Sequence, residues 1–253
     1  MMQANDWASI VLAAGKGTRM KSDLPKVMHR INGQPIIFWV IDLLKRLDIH
    51  LRVVVIGYKG DIVKRYVEEL GCQTVEQGEQ LGTGHAVMCA RSVLGGFKGD
   101  VLIVCGDTPL FKRETIDFFM RSHIKSMGNI SILTALMECP YGYGRIKKTG
   151  HDDMCVSGIV EEKDASDTER EIKEINTGIY AVKAPLLFKL LESVGNKNAQ
   201  GEFYLTDIVG LAVSEGEKVH AICCAASDEA QGINSKEDMA KAEAIMSKNM
   251  SGS

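Results

Sequence analysis

The chain has 253 residues, of which 45% are hydrophobic and 25% are charged, and its formal net charge is -3. This is the composition of an ordinary globular protein, and charges of both signs are scattered without the basic block that nucleic-acid binding needs. The longest apolar runs are too short to span a bilayer, so neither a nucleic acid nor a membrane is predicted as a partner.

The seven cysteines form no CxxC pair, which favours reduced thiols over disulfides or a zinc site. The first seven residues lack a basic segment followed by a long apolar one, so no signal peptide is predicted. We therefore expect a cytoplasmic protein. Its length suits a single domain over residues 1–250.

Apolar strands alternate with helical patterns through the first half of the chain. The predicted strands are Ser9–Ala13, Leu51–Ile56, Cys72–Val75 and Asp100–Cys105. One predicted helix begins at Pro35, and two others cover Asp61–Leu70 and Thr83–Leu94. Continuous apolar strands separated by helices are typical of a parallel sheet covered on both faces. The predicted fold class is therefore α/β, a Rossmann-like open and mostly parallel sheet.

After about residue 128 the pattern changes to strands with few helices between them. These strands are Ile130–Met137, Gly144–Lys147, Cys155–Val160 and Ile175–Val182. The last predicted elements are helices over Leu186–Leu191 and Thr206–Ser214, a strand over Val219–Cys224, and a helix over 235–250. We expect residues 1–128 to bind a nucleotide and residues 129–230 to form a smaller mixed or antiparallel extension over the sheet.

The strongest functional signal is the loop after the first strand, Leu12-Ala13-Ala14-Gly15-Lys16-Gly17-Thr18-Arg19-Met20, with Pro25-Lys26 beyond it. Open α/β sheets bind ligands at this carboxyl edge, and glycines let backbone N–H groups approach phosphates. Arg19 and Lys26 add two cations that suit a triphosphate. An unliganded turn would explain the glycines but not these two cations. Neither the Walker A nor the Rossmann glycine pattern fits, because Gly17 and Met20 occupy required positions.

Two later blocks add a base site and a metal site. Gln77 precedes Gly82-Thr83 at a helix start, and its amide can both donate to and accept from the edge of uracil. The alternative is a surface glutamine beside a capped helix. Asp107 ends an apolar strand and is a natural Mg2+ ligand, because hard cations prefer oxygen. The alternative is that Asp107 caps a helix after Pro109.

The glycine-rich loop and the later blocks closely resemble the sugar-phosphate nucleotidyltransferase family, and within it the N-acetylglucosamine-1-phosphate uridyltransferases. The further blocks are Tyr143-Gly144-Arg145-Ile146, Ile159–Ala165, Glu174–Tyr180, Gly201–Ile208 and Gly232-Ile233-Asn234. The resemblance runs in order from about Ile10 to Glu243, nearly the full chain. It implies transfer of UMP from UTP to N-acetylglucosamine 1-phosphate, which forms the cell-wall precursor UDP-N-acetylglucosamine and pyrophosphate.

The resemblance also implies a role for each block. It assigns catalysis to Arg19 and Lys26. It assigns the nucleotide to Leu12, Ala13, Ala14, Gly15, Lys26, Gln77, Gly82 and Thr83. It assigns the N-acetylhexosamine to Gly144, Glu161 and Asn176, and Mg2+ to Asp107 and Asn234.

The chain departs from that family in two ways. Cys105 stands where the family commonly has tyrosine before Gly-Asp, which would alter contacts near the sugar. The chain also has no hexapeptide repeats, so we expect no acetyltransferase domain in it and only weak support for an oligomer. Two other functions stay open. One is a transferase for another sugar, base or alcohol phosphate, such as a cytidylyltransferase, and Gln77 and the Asn176 block argue against it. The other is a non-catalytic nucleotide-binding module, and the two cations with the metal pair argue against it.

Overall fold

The computed structural model of the chain describes residues 7–149 and 154–251. Residues 1–6, on which most of the signal-peptide prediction rests, lie outside the described residues. The strands are β1 (Trp7–Leu12), β2 (Arg30–Ile31), β3 (Gln34–Pro35), β4 (Leu51–Ile56), β5 (Gln73–Glu76), β6 (Asp100–Cys105), β7 (Ile130–Leu136), β8 (Arg145–Lys148), β9 (Val156–Val160), β10 (Glu174–Lys183) and β11 (Val219–Ala225). The helices are α1 (Ile36–Arg46), α2 (Gly60–Glu69), α3 (Thr83–Cys89), α4 (Arg91–Leu94), α5 (Arg113–Ser126), α6 (Asp167–Arg170), α7 (Ala184–Leu191), α8 (Asp207–Ser214) and α9 (Lys236–Ser251).

The predicted α/β fold is confirmed. Seven strands lie side by side in the order β11-β7-β10-β6-β1-β4-β5. β1 pairs parallel with both β4 and β6, and β5 pairs parallel with β4. The parallel strands therefore end at one common edge, and the loops that follow them meet there.

The mixed part of the sheet lies after residue 128, as the strand pattern predicts. β10 runs antiparallel to both β6 and β7, and β11 pairs parallel with β7. These three strands continue the main sheet, whereas the hairpin β8–β9 branches from β10 at Arg145 and Ile175. The hairpin therefore projects beside the edge where the first-half loops meet.

The core lies on both faces of the sheet because the central strands are apolar at successive positions. On β6, Val101 and Ile103 pack into one core cluster, and Leu102 and Val104 pack into the other. The first cluster contains residues of α3, α7 and α8, and the second contains residues of α1, α2 and α5. None of the helices in the described ranges combines the length and apolarity needed to cross a bilayer.

Two predicted helices differ from the structure. The single helix predicted over Thr83–Leu94 is divided at Ala90, because the Ala90 N–H donates to Val87 O at 3.0 Å and tightens the turn. The helix after Pro109 is α5, and Lys112 occupies its N-cap position. Asp107 therefore does not cap this helix.

A buried polar network lies at the other end of the central strands, where β6 begins and β10 ends. The His123 ring on α5 contacts Asp100 Oδ1 at 3.2 Å and Ser131 Oγ at 2.8 Å, and Lys183 Nζ donates to Asp100 Oδ2 at 2.8 Å. Burial opposes ionisation of Asp100, but hydrogen bonds from His123 and Lys183 lower its pKa. The network thus joins α5, β6, β7 and β10.

We predict that Asp100→Asn lowers the free energy of unfolding at pH 7 by about 2–3 kcal/mol, because it leaves buried donors poorly paired. A folded-state pKa below the unfolded value means that the carboxylate stabilises the fold above its unfolded pKa. This stabilisation disappears as pH falls through the folded pKa. Urea unfolding at pH 7 and at strongly acidic pH, below the ordinary pKa of an aspartate, measures both effects.

The surface ion pair of Arg46 with Asp42 provides the control. Asp42→Asn should leave the unfolding free energy nearly unchanged, because exposed ion pairs contribute little. Equal effects of the two Asp→Asn changes at pH 7 would contradict the role given to the buried network.

Candidate active site

A cleft of about 320 Å³ lies where the loops after β1, β5 and β6 meet. The residues predicted to hold a nucleotide all line it, namely Leu12, Ala13, Ala14, Gly15, Lys26, Gln77, Gly82 and Thr83. Asp107 and Cys105, at the end of β6, line the same cleft. The fold therefore gathers into one cavity residues that stand almost a hundred positions apart.

The glycine-rich loop is fixed by backbone hydrogen bonds to its neighbours. The Ala14 carbonyl accepts from the Tyr58 N–H at 3.2 Å and from Gln80 Nε2 at 2.7 Å. Gly17 has φ +62°, and a Cβ there would lie 2.5 Å from Lys26 Cβ. Gly17 is thus needed for two reasons, its left-handed backbone and the close approach of the segment that carries Lys26.

Four predicted residues converge beside this loop. Lys26 Nζ donates to Asp107 Oδ2 and, at 3.1 Å, to Asn234 Oδ1. Arg19 Nη2 donates to the same Asn234 oxygen at 2.9 Å. Two cations and two oxygen donors from four separate segments therefore share one small space.

The oxygens of Asp107 and Asn234 fit a divalent cation because both already face one positive charge, the Lys26 ammonium. Within residues 7–149 and 154–251, no group of three or more His, Cys, Asp and Glu could hold a metal. Two protein oxygens are enough for Mg2+, which usually completes its octahedron with water and phosphate oxygens.

The Gln77 side chain forms the wall of the cleft next to α3. Gln77 is 4% exposed, and its Nε2 donates to Gly82 O at 3.0 Å and contacts His85 Nδ1 at 3.1 Å. These contacts use the amide hydrogens, and no described residue donates to Oε1. Gln77 therefore presents an acceptor, and His85 helps to orient it.

Gly82 and Thr83 are held by the chain segment before α8. Gly82 has φ +114°, and a Cβ there would lie 2.6 Å from Phe203 O. Thr83 Oγ1 accepts from the Leu205 N–H at 3.0 Å. This hydroxyl is thus engaged by the protein as an acceptor.

The three residues predicted for the sugar lie together on the hairpin side. The Asn176 N–H donates to Gly144 O at 2.9 Å, and a Cβ at Gly144 would lie 3.5 Å from Glu161 Oε2. Glu161 Oε1 accepts from Thr206 Oγ1 at 3.0 Å. Burial raises the pKa of Glu161, with a smaller contribution from nearby Asp164, and the Thr206 hydrogen bond opposes the rise.

Cys105 connects the two groups of residues. It lines the cleft, and its Sγ lies 3.9 Å from Gly178 O, two residues after Asn176. Burial and the neighbouring Asp107 raise the pKa of the thiol to about 12. Cys105 is therefore a small neutral group between the cleft and the hairpin side.

Comparison with known families assigns this arrangement. Residues 9–147 match the family described as the MobA-like NTP transferase domain. The chain belongs to this nucleotidyltransferase family.

Curated relatives match almost the whole chain. It is 44% identical over 245 residues to the bifunctional protein GlmU of Syntrophotalea carbinolica, covering 97% of the chain and 52% of the relative. It is 45% identical over 240 residues to the bifunctional protein GlmU of Streptococcus sanguinis, covering 94% of the chain and 51% of that relative. The chain thus spans about half the length of the curated relatives it matches.

Solved structures share the fold at low sequence identity. A UDP-glucose pyrophosphorylase complexed with UDP-glucose superposes with a TM-score of 0.75 at 16% identity, over 96% of this chain and 98% of that one. The inositol-1-phosphate CTP transferase from T. maritima gives a TM-score of 0.74 at 19% identity, over 98% and 97%. These structures extend the nucleotidyltransferase fold beyond residue 147, across the hairpin side.

Residues without a predicted role also make polar contacts in this part of the structure. Gln80 stands in the same block as Gln77, and its side chain donates a hydrogen bond to the Ala14 carbonyl. The buried Arg145 donates from Nη2 to Glu162 Oε2 at 2.8 Å, and the same oxygen accepts from the Gly142 N–H at 3.1 Å. This pair ties the loop before β8 to the chain after β9. Arg145 begins β8, whose sequence is Arg-Ile-Lys-Lys, and nothing local to it indicates Glu162 as its partner.

Proposed function

We propose that the chain transfers UMP from UTP to N-acetylglucosamine 1-phosphate, giving UDP-N-acetylglucosamine and pyrophosphate. The observation that carries the proposal is the convergence of Arg19, Lys26, Asp107 and Asn234 beside a glycine-rich loop. The uridyltransferase motifs and the identity to bifunctional GlmU proteins support this choice of substrates. The reaction would supply a cell-wall precursor in the cytoplasm.

The reaction needs alignment and charge neutralisation more than a base. The attacking oxygen of a sugar phosphate is already an anion, so no side chain has to remove a proton. Arg19 and Lys26 stabilise the negative charge that develops as pyrophosphate leaves. Asp107 and Asn234 would hold Mg2+, which would neutralise phosphate charge.

Lys26 has two positions in this mechanism. Without substrate, its ammonium holds the Asp107 and Asn234 oxygens. The same ammonium could bind the transferred phosphate, and the Asp107 and Asn234 oxygens would then be available to hold a divalent cation. Gly17 keeps the Lys26 backbone beside the phosphate loop in either case.

The uracil would bind against Gln77. Its Nε2 is committed to Gly82 O, so Oε1 faces the base as an acceptor and suits the N3–H of uracil. Cytosine has an unprotonated N3, which would meet this oxygen with two acceptors opposed. The sugar would bind between Glu161, Asn176 and Gly144, where a carboxylate and an amide lie beside a glycine.

We predict that UTP is used at least about tenfold better than CTP, because the mismatched cytosine leaves Gln77 Oε1 unpaired in a largely buried position. Values of kcat/KM for the two nucleotides at equal Mg2+ measure this preference. ATP serves as the control nucleotide that has no pyrimidine base. Equal values for UTP and CTP would remove the uracil assignment and favour the cytidylyltransferase alternative.

We predict that Asp107→Asn lowers kcat by at least about a hundredfold, the scale expected when one preorganised electrostatic group is lost. Asn234→Ala should lower kcat less, because water can replace a neutral ligand. Circular dichroism should show that both variants fold. Asp23→Asn is the control, because Asp23 is an exposed acid between β1 and β2 that pairs only with Lys59 among the described residues. Near-normal turnover of Asp107→Asn at limiting Mg2+ would contradict the metal assignment.

We predict that KM for N-acetylglucosamine 1-phosphate rises as pH falls through the raised pKa of Glu161, because the protonated carboxyl is a poorer acceptor for sugar hydroxyls. The rise should therefore begin at a higher pH than an ordinary glutamate would give. Initial rates across mildly acidic pH measure it, with KM for UTP as the internal control. Glu161→Gln should have a higher KM for N-acetylglucosamine 1-phosphate, and this KM should lack the pH dependence. If Glu161→Gln keeps the pH dependence of the wild type, the prediction is wrong.

A further inference from the structure

The loop that carries Asn234 is capped from the first turn of α9. Asp238 Oδ2 accepts from the backbone N–H of Asn234 at 3.0 Å and from that of Ser235 at 2.9 Å. Ser235 Oγ accepts in turn from the Asp238 N–H at 3.1 Å. This is a capping box with one additional bond, and the additional bond reaches Asn234 itself.

A second anchor lies on the other side of Asn234. The Ile233 N–H donates to Asp107 O at 2.9 Å, so the backbones of the two proposed metal ligands are nearly in direct contact. The Ile233 side chain is 1% exposed and packs in a small cluster with Leu110, which lies three residues after Asp107. Asn234 is therefore held between a buried apolar residue and a helix cap.

The same cluster reaches the segment that carries Lys26. It contains Ile31 and Ile36, from the hairpin β2–β3 and the start of α1, packed with Ala242 of α9. Glu243 Oε1 also accepts from the Asn32 N–H at 3.2 Å. α9 therefore packs against three segments that bring Lys26, Asp107 and Asn234 together.

We propose that Asp238 is a positioning residue that acts through Asn234 to keep its Oδ1 aligned with Asp107 for metal binding. This inference rests on the metal pair of the proposed function. Its physical basis is that one carboxylate, placed at a helix N-terminus where negative charge is favoured, satisfies two successive N–H groups. Without it, the Asn234 backbone loses its link to α9, and the amide oxygen loses its fixed direction.

The first test is the Mg2+ dependence of the full chain. Asp238→Ala should raise the Mg2+ concentration for half-maximal rate by about tenfold or more, the scale for partners that orient metal ligands. Excess Mg2+ should restore most of kcat, and KM for N-acetylglucosamine 1-phosphate should stay near wild type. Asp238→Asn should show a smaller effect, because its amide oxygen can still accept one of the two bonds. A purely structural role would lower thermal stability without this rescue.

The second test does not depend on turnover. Binding of Mn2+ in the presence of UTP, without sugar phosphate, is followed by water proton relaxation for wild type, Asp238→Ala and Glu237→Gln. Glu237 is an exposed acid on the same turn of α9, and its side chain hydrogen-bonds Ser235, a bond that glutamine can keep. Glu237→Gln therefore removes the same charge and leaves both Asp238 bonds to the Asn234 and Ser235 N–H groups in place. Asp238→Ala should bind Mn2+ about tenfold more weakly, and Glu237→Gln should match wild type.

The outcomes separate the two proposals. If Asp107→Asn weakens Mn2+ binding but Asp238→Ala does not, the role of Asp238 is overturned and the metal pair stands. If Glu237→Gln weakens Mn2+ binding as much as Asp238→Ala, the effect comes from losing any negative charge in the first turn of α9. The positioning role of Asp238 is then also overturned. If Asp107→Asn binds Mn2+ as wild type does, the metal pair of the proposed function is wrong.

Discussion

One ammonium group holds the candidate active site together. Lys26 bonds both Asp107 at the end of β6 and Asn234 before α9, and these partners are 81 and 208 residues away in sequence. The parallel pairing of β1 with β6 brings the first two segments to a common edge. The third segment comes from outside the sheet. The geometry of the site therefore depends equally on sheet register and on the packing of a terminal helix.

The main strands of the fold and much of the site could be predicted from local pattern. β1, β4 and β6 are mostly apolar on both faces because both faces of the sheet are covered, and this composition is visible in sequence. The glycine-rich loop was visible because Gly15 and Gly17 stand directly after β1 together with two cations. Asp107 was visible because it ends β6. In each case the signal and its structural cause lie within a few residues.

The remaining features depend on contacts between distant segments, which no local pattern encodes. The position of β10 between β6 and β7 follows from its antiparallel pairing with both, and strand composition does not specify it. The Gln77 amide was expected to donate and accept at the base, yet its N–H groups are used by Gly82 and His85. Arg145 pairs with Glu162, which lies 17 residues further along the chain and which no local pattern indicates. Polar side chains are informative about chemistry, but their partners are set by the fold.

The state of Cys105 has a consequence for chemical reactivity. Alkylating and oxidising reagents attack thiolates, and a thiol with a pKa of about 12 is almost never ionised near neutral pH. Cys139 and Cys223 are exposed and do not line the cleft. Oxidants and maleimide labels should therefore react at these two surface thiols first. The protein can accordingly carry spectroscopic probes while its cleft remains chemically unmodified.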